Sequence, residues 1–160
     1  MYKITLARMD NRLLHGIVIA QYLPKANCQR IMVIDDEVAS NPTKKEMMML
    51  AKPKGYAASI ISLETALNNF KINKYEGQRI FLLAKSPHVF LELLKNGIKF
   101  DELIVGATDL LNDGIKLSNR AYITEEEAQE FREISKYGTN IVIQHAPSVA
   151  PVDIFKIVAK

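Results

Sequence analysis

The sequence predicts an α/β fold: an open, mostly parallel central sheet with helices on both faces and small extra strands near the C-terminal third. Three observations carry this expectation. Short apolar runs alternate with helix-length segments from one end of the chain to the other. Runs such as Ile31–Ile34 and Ile80–Ala84 are apolar at consecutive positions, the pattern of strands covered on both faces. Helix-capping signals recur at the joints between them.

Tyr2–Ala7 reads as the first strand, and Ile17, Val18, Tyr22 and Leu23 fit one face of a helix from about Gly16 to Leu23. Arg30–Ile34 is the second strand and ends in Asp35-Asp36-Glu37. Asn41-Pro42 pairs a cap with proline at the first helical position and opens a helix through Lys52. Ala57–Ile61 is a third strand, with Ser62 placed to cap the helix after it. Arg79–Ala84 is a fourth, followed by a Ser86-Pro87 helix start that Asn96-Gly97 ends.

Glu102–Val105 is the fifth strand. Residues 106–123 then break the rhythm, with turn residues around short apolar pieces at Ile115–Leu117 and Tyr122–Ile123. Thr124 and Glu127 form a capping box, and the helix it opens stops near Tyr137-Gly138. Asn140–Gln144 reads as another strand and Pro151–Lys160 as a terminal helix. No linker, repeat or low-complexity tract divides the chain, so residues 1–160 are expected to form one domain.

Composition narrows the function classes. Apolar residues make up 48% and charged residues 24%, a globular balance. The net charge of +3 has no Lys/Arg block behind it, which argues against a dedicated nucleic-acid binder. No run of about 18 apolar residues is present to span a membrane, and the start is strand-like rather than signal-like. The single Cys28 can make neither an internal disulfide nor a cysteine metal cluster and reads as a small buried or half-buried side chain. A cytoplasmic setting is expected.

The chemistry concentrates in Arg8-Met9-Asp10-Asn11-Arg12-Leu13-Leu14-His15-Gly16. Two guanidiniums beside a histidine disfavour a further positive charge and favour a phosphate, or an imidazole that carries one. If a helix begins at Gly16, His15 stands at its N-terminus, where unpaired backbone N–H groups attract anions. Arg12 and Arg8 are then candidates to hold phosphate oxygens, and Asp10 to hydrogen-bond one ring nitrogen and leave the other as nucleophile. The same residues also fit a histidine packed on the first helix beside two solvated arginines.

Elsewhere the signals are weaker. Asp35-Asp36-Glu37 at a strand end suits Mg²⁺ in a phosphoaspartyl receiver, but the next candidate strand ends Leu83-Ala84-Lys85, without the second carboxylate that site needs. A positioning role for Asp36 beside the first loop, or plain solvation, remains open. His88 and His145 have no partner at metal-ligand spacing, and the methionines Met47, Met48 and Met49 read as helix core filler. Gly106-Ala107-Thr108-Asp109 has one glycine and no phosphate-loop or dinucleotide fingerprint, only a suggestion of a turn beside a ligand.

Strand, then Arg-x-Asp-Asn-Arg-Leu-Leu-His-Gly, then helix resembles the IIB component of the mannose/fructose/sorbose family of the bacterial phosphotransferase sugar-uptake system. The likeness continues through Val33–Pro42, Val105-Gly106 and Ala146–Asp153 and covers essentially the whole chain. It implies a phosphotransferase subunit in which His15, through Nδ1, accepts a phosphoryl group from a IIA phosphohistidine and passes it to a sugar held by the membrane IIC/IID components. Arg12 matches the family's phosphate-neutralising arginine, and Arg8 and Asp10 match flanking positions.

Gly16 and Asp36 are expected to position the loop and the phosphate. No metal or other cofactor is called for, and the family is commonly dimeric. The carrier would sit in the cytoplasm, peripheral to the inner face of the membrane through IIC/IID. The family usually has glutamine after His-Gly where this chain has Ile17, so an amide is missing there. A carrier that meets two partners in turn needs a shallow site with an apolar rim, for which Met9 and Leu13 are the candidates.

Overall fold

The computed structural model describes residues 1–160. Seven strands form one sheet in the order β3-β2-β4-β1-β5-β8-β9. They are β1 (Lys3–Met9), β2 (Arg30–Ile34), β3 (Ala57–Ile61), β4 (Arg79–Ala84), β5 (Glu102–Val105), β8 (Asn140–Ile143) and β9 (Val152–Asp153). All pairings are parallel except β8 with β9. The remaining strands, β6 (Ile115–Ser118) and β7 (Ala121–Ile123), form a separate antiparallel hairpin.

The helices are α1 (Gly16–Ala26), α2 (Asp36–Ala39), α3 (Pro42–Met49), α4 (Leu63–Lys71), α5 (Pro87–Lys95) and α6 (Glu125–Ser135). They divide between the sheet faces by the parity of the strand residues they cover. Val18, Ile19 and Tyr22 of α1 and Val38 of α2 pack with Ile31, Val33, Phe81, Leu83 and Ile104. Phe70 of α4, Phe90 of α5 and Phe131 of α6 pack with Met32, Ile34, Leu82, Leu103 and Val105 on the other face. Consecutive strand residues point to opposite faces, and both faces are roofed, so the middle strands are apolar at most consecutive positions.

That division sets where a site can form. The chain leaves β1 for a helix on one face, while it leaves the adjacent β4 and β5 for α5 and α6 on the other. Loops diverging to opposite faces open a crevice at the carboxyl end of β1. Caps fix the helix starts around it. Asn41 accepts from the Lys44 N–H at 3.1 Å and Ser62 from the Thr65 N–H at 3.1 Å, while Thr124 and Glu127 complete the capping box.

Several sequence expectations need revision. Met47, read with Met48 and Met49 as core filler, is 67% exposed, and α3 ends at Met49 with no buried residue. β1 runs two residues further, through Met9, because its backbone stays paired with Leu83 and Ala84 of β4. A short α2 follows Asp35, whose carboxylate caps it by accepting from the Val38 N–H at 3.0 Å. Ser86 starts α5 without a side-chain cap bond. The terminal helix expected over Pro151–Lys160 is absent: Val152 and Asp153 pair antiparallel with β8, and a single 3₁₀ turn, Ile154–Lys156, follows. Ile154 and Val158 are buried against the α6 side of the sheet, so apolar residues that resemble a helical stripe serve a strand and a turn instead.

Removing the α6 cap tests the local reading. Thr124→Ala loses the hydroxyl that accepts from the Glu127 N–H, keeps the backbone N–H that donates to Glu127 Oε1, and is expected to lower unfolding stability by about 1 kcal/mol. Urea denaturation followed by circular dichroism measures it, and an unchanged midpoint would show that solvent replaces the box at no cost.

Candidate functional site

At the end of β1 the alternation of strand side chains turns Arg8 toward α1 and Met9 toward α5 and α6. Arg8 is 0% exposed. Its Nε donates to Asp10 Oδ2 at 3.2 Å, its Nη1 to the Gln144 carbonyl at 2.8 Å and its Nη2 to the His145 carbonyl at 3.1 Å. The guanidinium lies 4.1 Å from the centre of the Tyr22 ring, whose hydroxyl donates to Gln144 Oε1 at 3.2 Å. Burial pushes the Arg8 guanidinium below its ordinary value, while Tyr22 and Asp10 counter it.

Asp10 is likewise fully buried. Its Oδ1 accepts from the Arg12 N–H at 3.0 Å and from Arg12 Nε at 2.9 Å, and its Oδ2 accepts from Arg12 Nη2 at 2.8 Å. One carboxylate therefore grips one edge of the Arg12 fork bidentately while facing Arg8 on its other side. Arg12 is the outer member, its side chain 27% exposed, and bonding to Asp10 holds its guanidinium above the ordinary value.

The loop is knitted between the flanking strands. The Asp10 N–H donates to the Ala84 carbonyl at the end of β4, and the Asn11 N–H to the Ala107 carbonyl beyond β5, both at 2.9 Å. The Asn11 side chain donates to Asp109 Oδ1 at 3.0 Å. The chain then turns on Leu13, which has φ of +55°, in the left-handed region. A leucine there costs about 1–2 kcal/mol. Burial of Leu13 and Leu14 in the α1-side core offsets that strain and pins the loop.

His15 follows as the N-cap of α1 and is exposed. Its Nδ1 accepts from the Ile17 N–H at 3.2 Å. An acceptor Nδ1 carries no proton, so the cap selects the tautomer with hydrogen on Nε2 and the lone pair on Nδ1. That lone pair points at the open N-terminal turn of an eleven-residue helix.

Several expectations change with this geometry. Arg8 is not available to hold phosphate oxygens: its donors are spent inside the protein. Asp10 orients Arg12 and not the imidazole. Met9 and Leu13, at 1% and 2% exposure, are core residues, and the apolar side chain at the rim is Ile17, at 51%. Asp36 lies away from the first loop and accepts from the Leu63 N–H at 2.9 Å, fastening the start of α4. Gly16 stands at the helix start as expected.

Asp35, at the β2 end, faces Lys85 Nζ at 3.5 Å, a cation on the strand end where a receiver domain would carry a carboxylate. The sequence reading did not find Tyr22 and Gln144. Gln144 is remote along the chain and joins Arg8 through its backbone, which leaves no trace in side-chain identity.

Acid titration tests the buried carboxylate. Burial alone would raise the Asp10 carboxyl, but hydrogen bonds from Arg12 and the charges of Arg8 and Arg12 hold it below the ordinary carboxylate range. A depressed folded value means stability that is present above the unfolded value of about 3.9 and lost as pH falls through the folded one. Urea midpoints of the parent protein should therefore drop as pH is taken below about 4, and Asp10→Asn should flatten that limb. Parallel profiles for the two proteins would remove Asp10 as its source.

Comparison with known proteins places the chain in a family. The family model described as "PTS system sorbose subfamily IIB component" matches residues 4–160. The sorbose-specific EIIB component of Klebsiella pneumoniae is 30% identical over 154 residues, 94% of each chain. The mannose-specific EIIAB component of Escherichia coli K12 is 25% identical over 157 residues, 98% of this chain and 49% of that protein. The crystal structure of the IIBSor domain of the Klebsiella sorbose permease superposes with a TM-score of 0.91 at 28% identity, covering 98% of this chain and 96% of that one. The chain belongs to the sorbose subfamily of IIB components of the phosphotransferase system for sugar transport.

Proposed function

We propose that residues 1–160 act as one phosphocarrier unit in which His15 receives a phosphoryl group from a IIA phosphohistidine and hands it to a sugar held by IIC/IID. The observation that carries this is the exposed His15 cap, with Nδ1 unprotonated and its lone pair turned to the helix N-terminus. In the first step the Nδ1 lone pair attacks phosphorus as the donor's N–P bond breaks, its electron pair returning to the donor imidazole. In the second a sugar hydroxyl oxygen attacks phosphorus, its proton passes to water, and the pair of the broken N–P bond returns to Nδ1.

Each step is an in-line displacement, so the protein's part is positioning and charge neutralisation. On Nδ1 the phosphoryl oxygens take over the role of the ring nitrogen as acceptors for the first N–H groups of α1, aided by the positive end of the helix dipole. The free edge of Arg12 supplies the remaining charge. Nδ1 releases the Ile17 N–H as the donor arrives, and the scheme requires no metal or nucleotide.

Partner and place follow from the same reading. The mannose relative, by its name, carries IIA and IIB parts in one protein, which supports a IIA donor for this chain. No helix is long and apolar enough to cross a membrane. In this reading the chain works from the cytoplasmic side, and contact with the sugar runs through the IIC/IID partners. The relatives named above act on different sugars at similar identity, sorbose and mannose, and the sugar is assigned to IIC/IID and not to this chain.

Incubation with the general phosphotransferase enzymes, the IIA partner and labelled phosphoenolpyruvate tests the proposal. The parent protein should gain acid-labile label on histidine, and His15→Ala should gain none while keeping its circular dichroism. Label retained by His15→Ala would overturn the site, and a parent that binds phosphate without label would favour a non-catalytic anion-binding domain. Arg12→Ala should still take label but transfer it to sugar about a hundredfold more slowly in membranes that contain IIC/IID. A rate equal to the parent's would remove Arg12 as the charge stabiliser.

A further inference from the structure

We propose that Gly106 and Asp10 are positioning residues for phosphoryl transfer that act through Arg12, an inference that rests on the carrier role of His15. The bare backbone just past the end of β5 leaves room for the Arg8–Asp10 pair, and that pair holds the Arg12 fork in one orientation.

The space argument is specific to Gly106. Its φ is not in the left-handed region, so the backbone there suits any residue. What excludes a side chain is the pair: a Cβ would lie 2.2 Å from Arg8 Nη2, 2.6 Å from Arg8 Cζ and 2.6 Å from Asp10 Oδ2. The guanidinium has nowhere to retreat. Its Nη1 and Nη2 are bonded to the Gln144 and His145 carbonyls, and its plane lies over the Tyr22 ring. Asp10 moves no more freely, since it is buried and holds the Arg12 N–H as well as the side chain. A methyl group at position 106 must therefore displace one or both charges.

The consequence reaches the site through one residue. Asp10 occupies Nε and one Nη2 hydrogen of Arg12, leaving Nη1 and the outer Nη2 hydrogen as a second, free edge of the planar fork. A fork fixed along one edge presents the other without first losing rotamer freedom, the advantage of pre-organised donors over mobile ones. Release of Asp10 turns Arg12 into an ordinary mobile surface arginine. Neither Gly106 nor Asp10 touches the reacting atoms on this account. Their effect must vanish when Arg12 is absent.

A double-mutant cycle on the full chain reads this directly, with phosphorylated IIA as donor and initial transfer rates measured against its concentration. Gly106→Ala is expected to lower kcat about tenfold to a hundredfold with KM for the donor within about twofold. In an Arg12→Ala background the same change should alter kcat by less than about twofold. Asp10→Asn, which keeps the shape of the side chain, runs through the same cycle and carries the test where Gly106→Ala does not fold.

Equal fractional losses in both backgrounds, or no loss of kcat in the parent, would overturn the positioning role while the carrier reading stands. A parent protein that takes no label overturns the carrier reading and this inference together. The two failures are read from different arms of one experiment.

Discussion

A carboxylate sealed from solvent between two guanidiniums is the constraint around which this end of the molecule is built. Buried charges are expensive to desolvate and persist only when each is paired and its remaining donors and acceptors are met. Asp10 meets that condition with Arg12 and Arg8, and Arg8 meets it with two backbone carbonyls and the face of Tyr22. The pairing therefore reaches well beyond the loop. It needs the turn after β8 to offer its carbonyls, the second turn of α1 to offer an aromatic ring, and the end of β5 to offer no side chain at all. Of the three charges only Arg12 reaches water, so the network delivers a single, oriented cation to the surface.

The strand order explains why that cation and the histidine share one loop at the sheet edge. β1 lies between β4 and β5, and its chain departs to the opposite face from both. The loop must reverse sharply within a few residues, and Leu13 does so in a backbone conformation that leucine disfavours. Burial of the adjacent Leu13 and Leu14 holds the turn closed, and the next residue is thereby delivered outward at the head of α1. A group held at a fixed point yet exposed suits the proposed carrier role, in which a phosphoryl group on His15 would meet one cation and a helix terminus rather than a closed cage.

Much of this was legible in the residues, for identifiable reasons. Strands covered on both faces show as short, mostly apolar runs, so β2, β3, β4 and β5 appear where the pattern puts them. Pro151–Lys160 misled because a two-residue strand and a 3₁₀ turn bury apolar residues at intervals that mimic a short helix. Arg8 misled because two more residues of strand decide which face it enters, and strand ends are set by pairing with β4 and not by local sequence. Its partners at Gln144 and His145 are backbone atoms, which no residue identity reports. Met9 and Leu13 failed as rim residues on the same account: one belongs to the strand and the other anchors the turn.

The isoleucine that replaces an amide after His-Gly looks, from sequence, like a loss at the site. The structure separates two roles of that position. Toward the imidazole it contributes its backbone N–H, which holds the Nδ1 acceptor at 3.2 Å. Any residue but proline supplies that bond, so the tautomer of His15 is indifferent to the side chain. The side chain itself stands half exposed beside the cap, where the family resemblance implies an amide and this chain has an aliphatic group. The difference therefore bears on the surface around the histidine and not on the bond its Nδ1 accepts. In the proposed carrier role, the backbone N–H of Ile17 serves the imidazole and its side chain serves the surface around it.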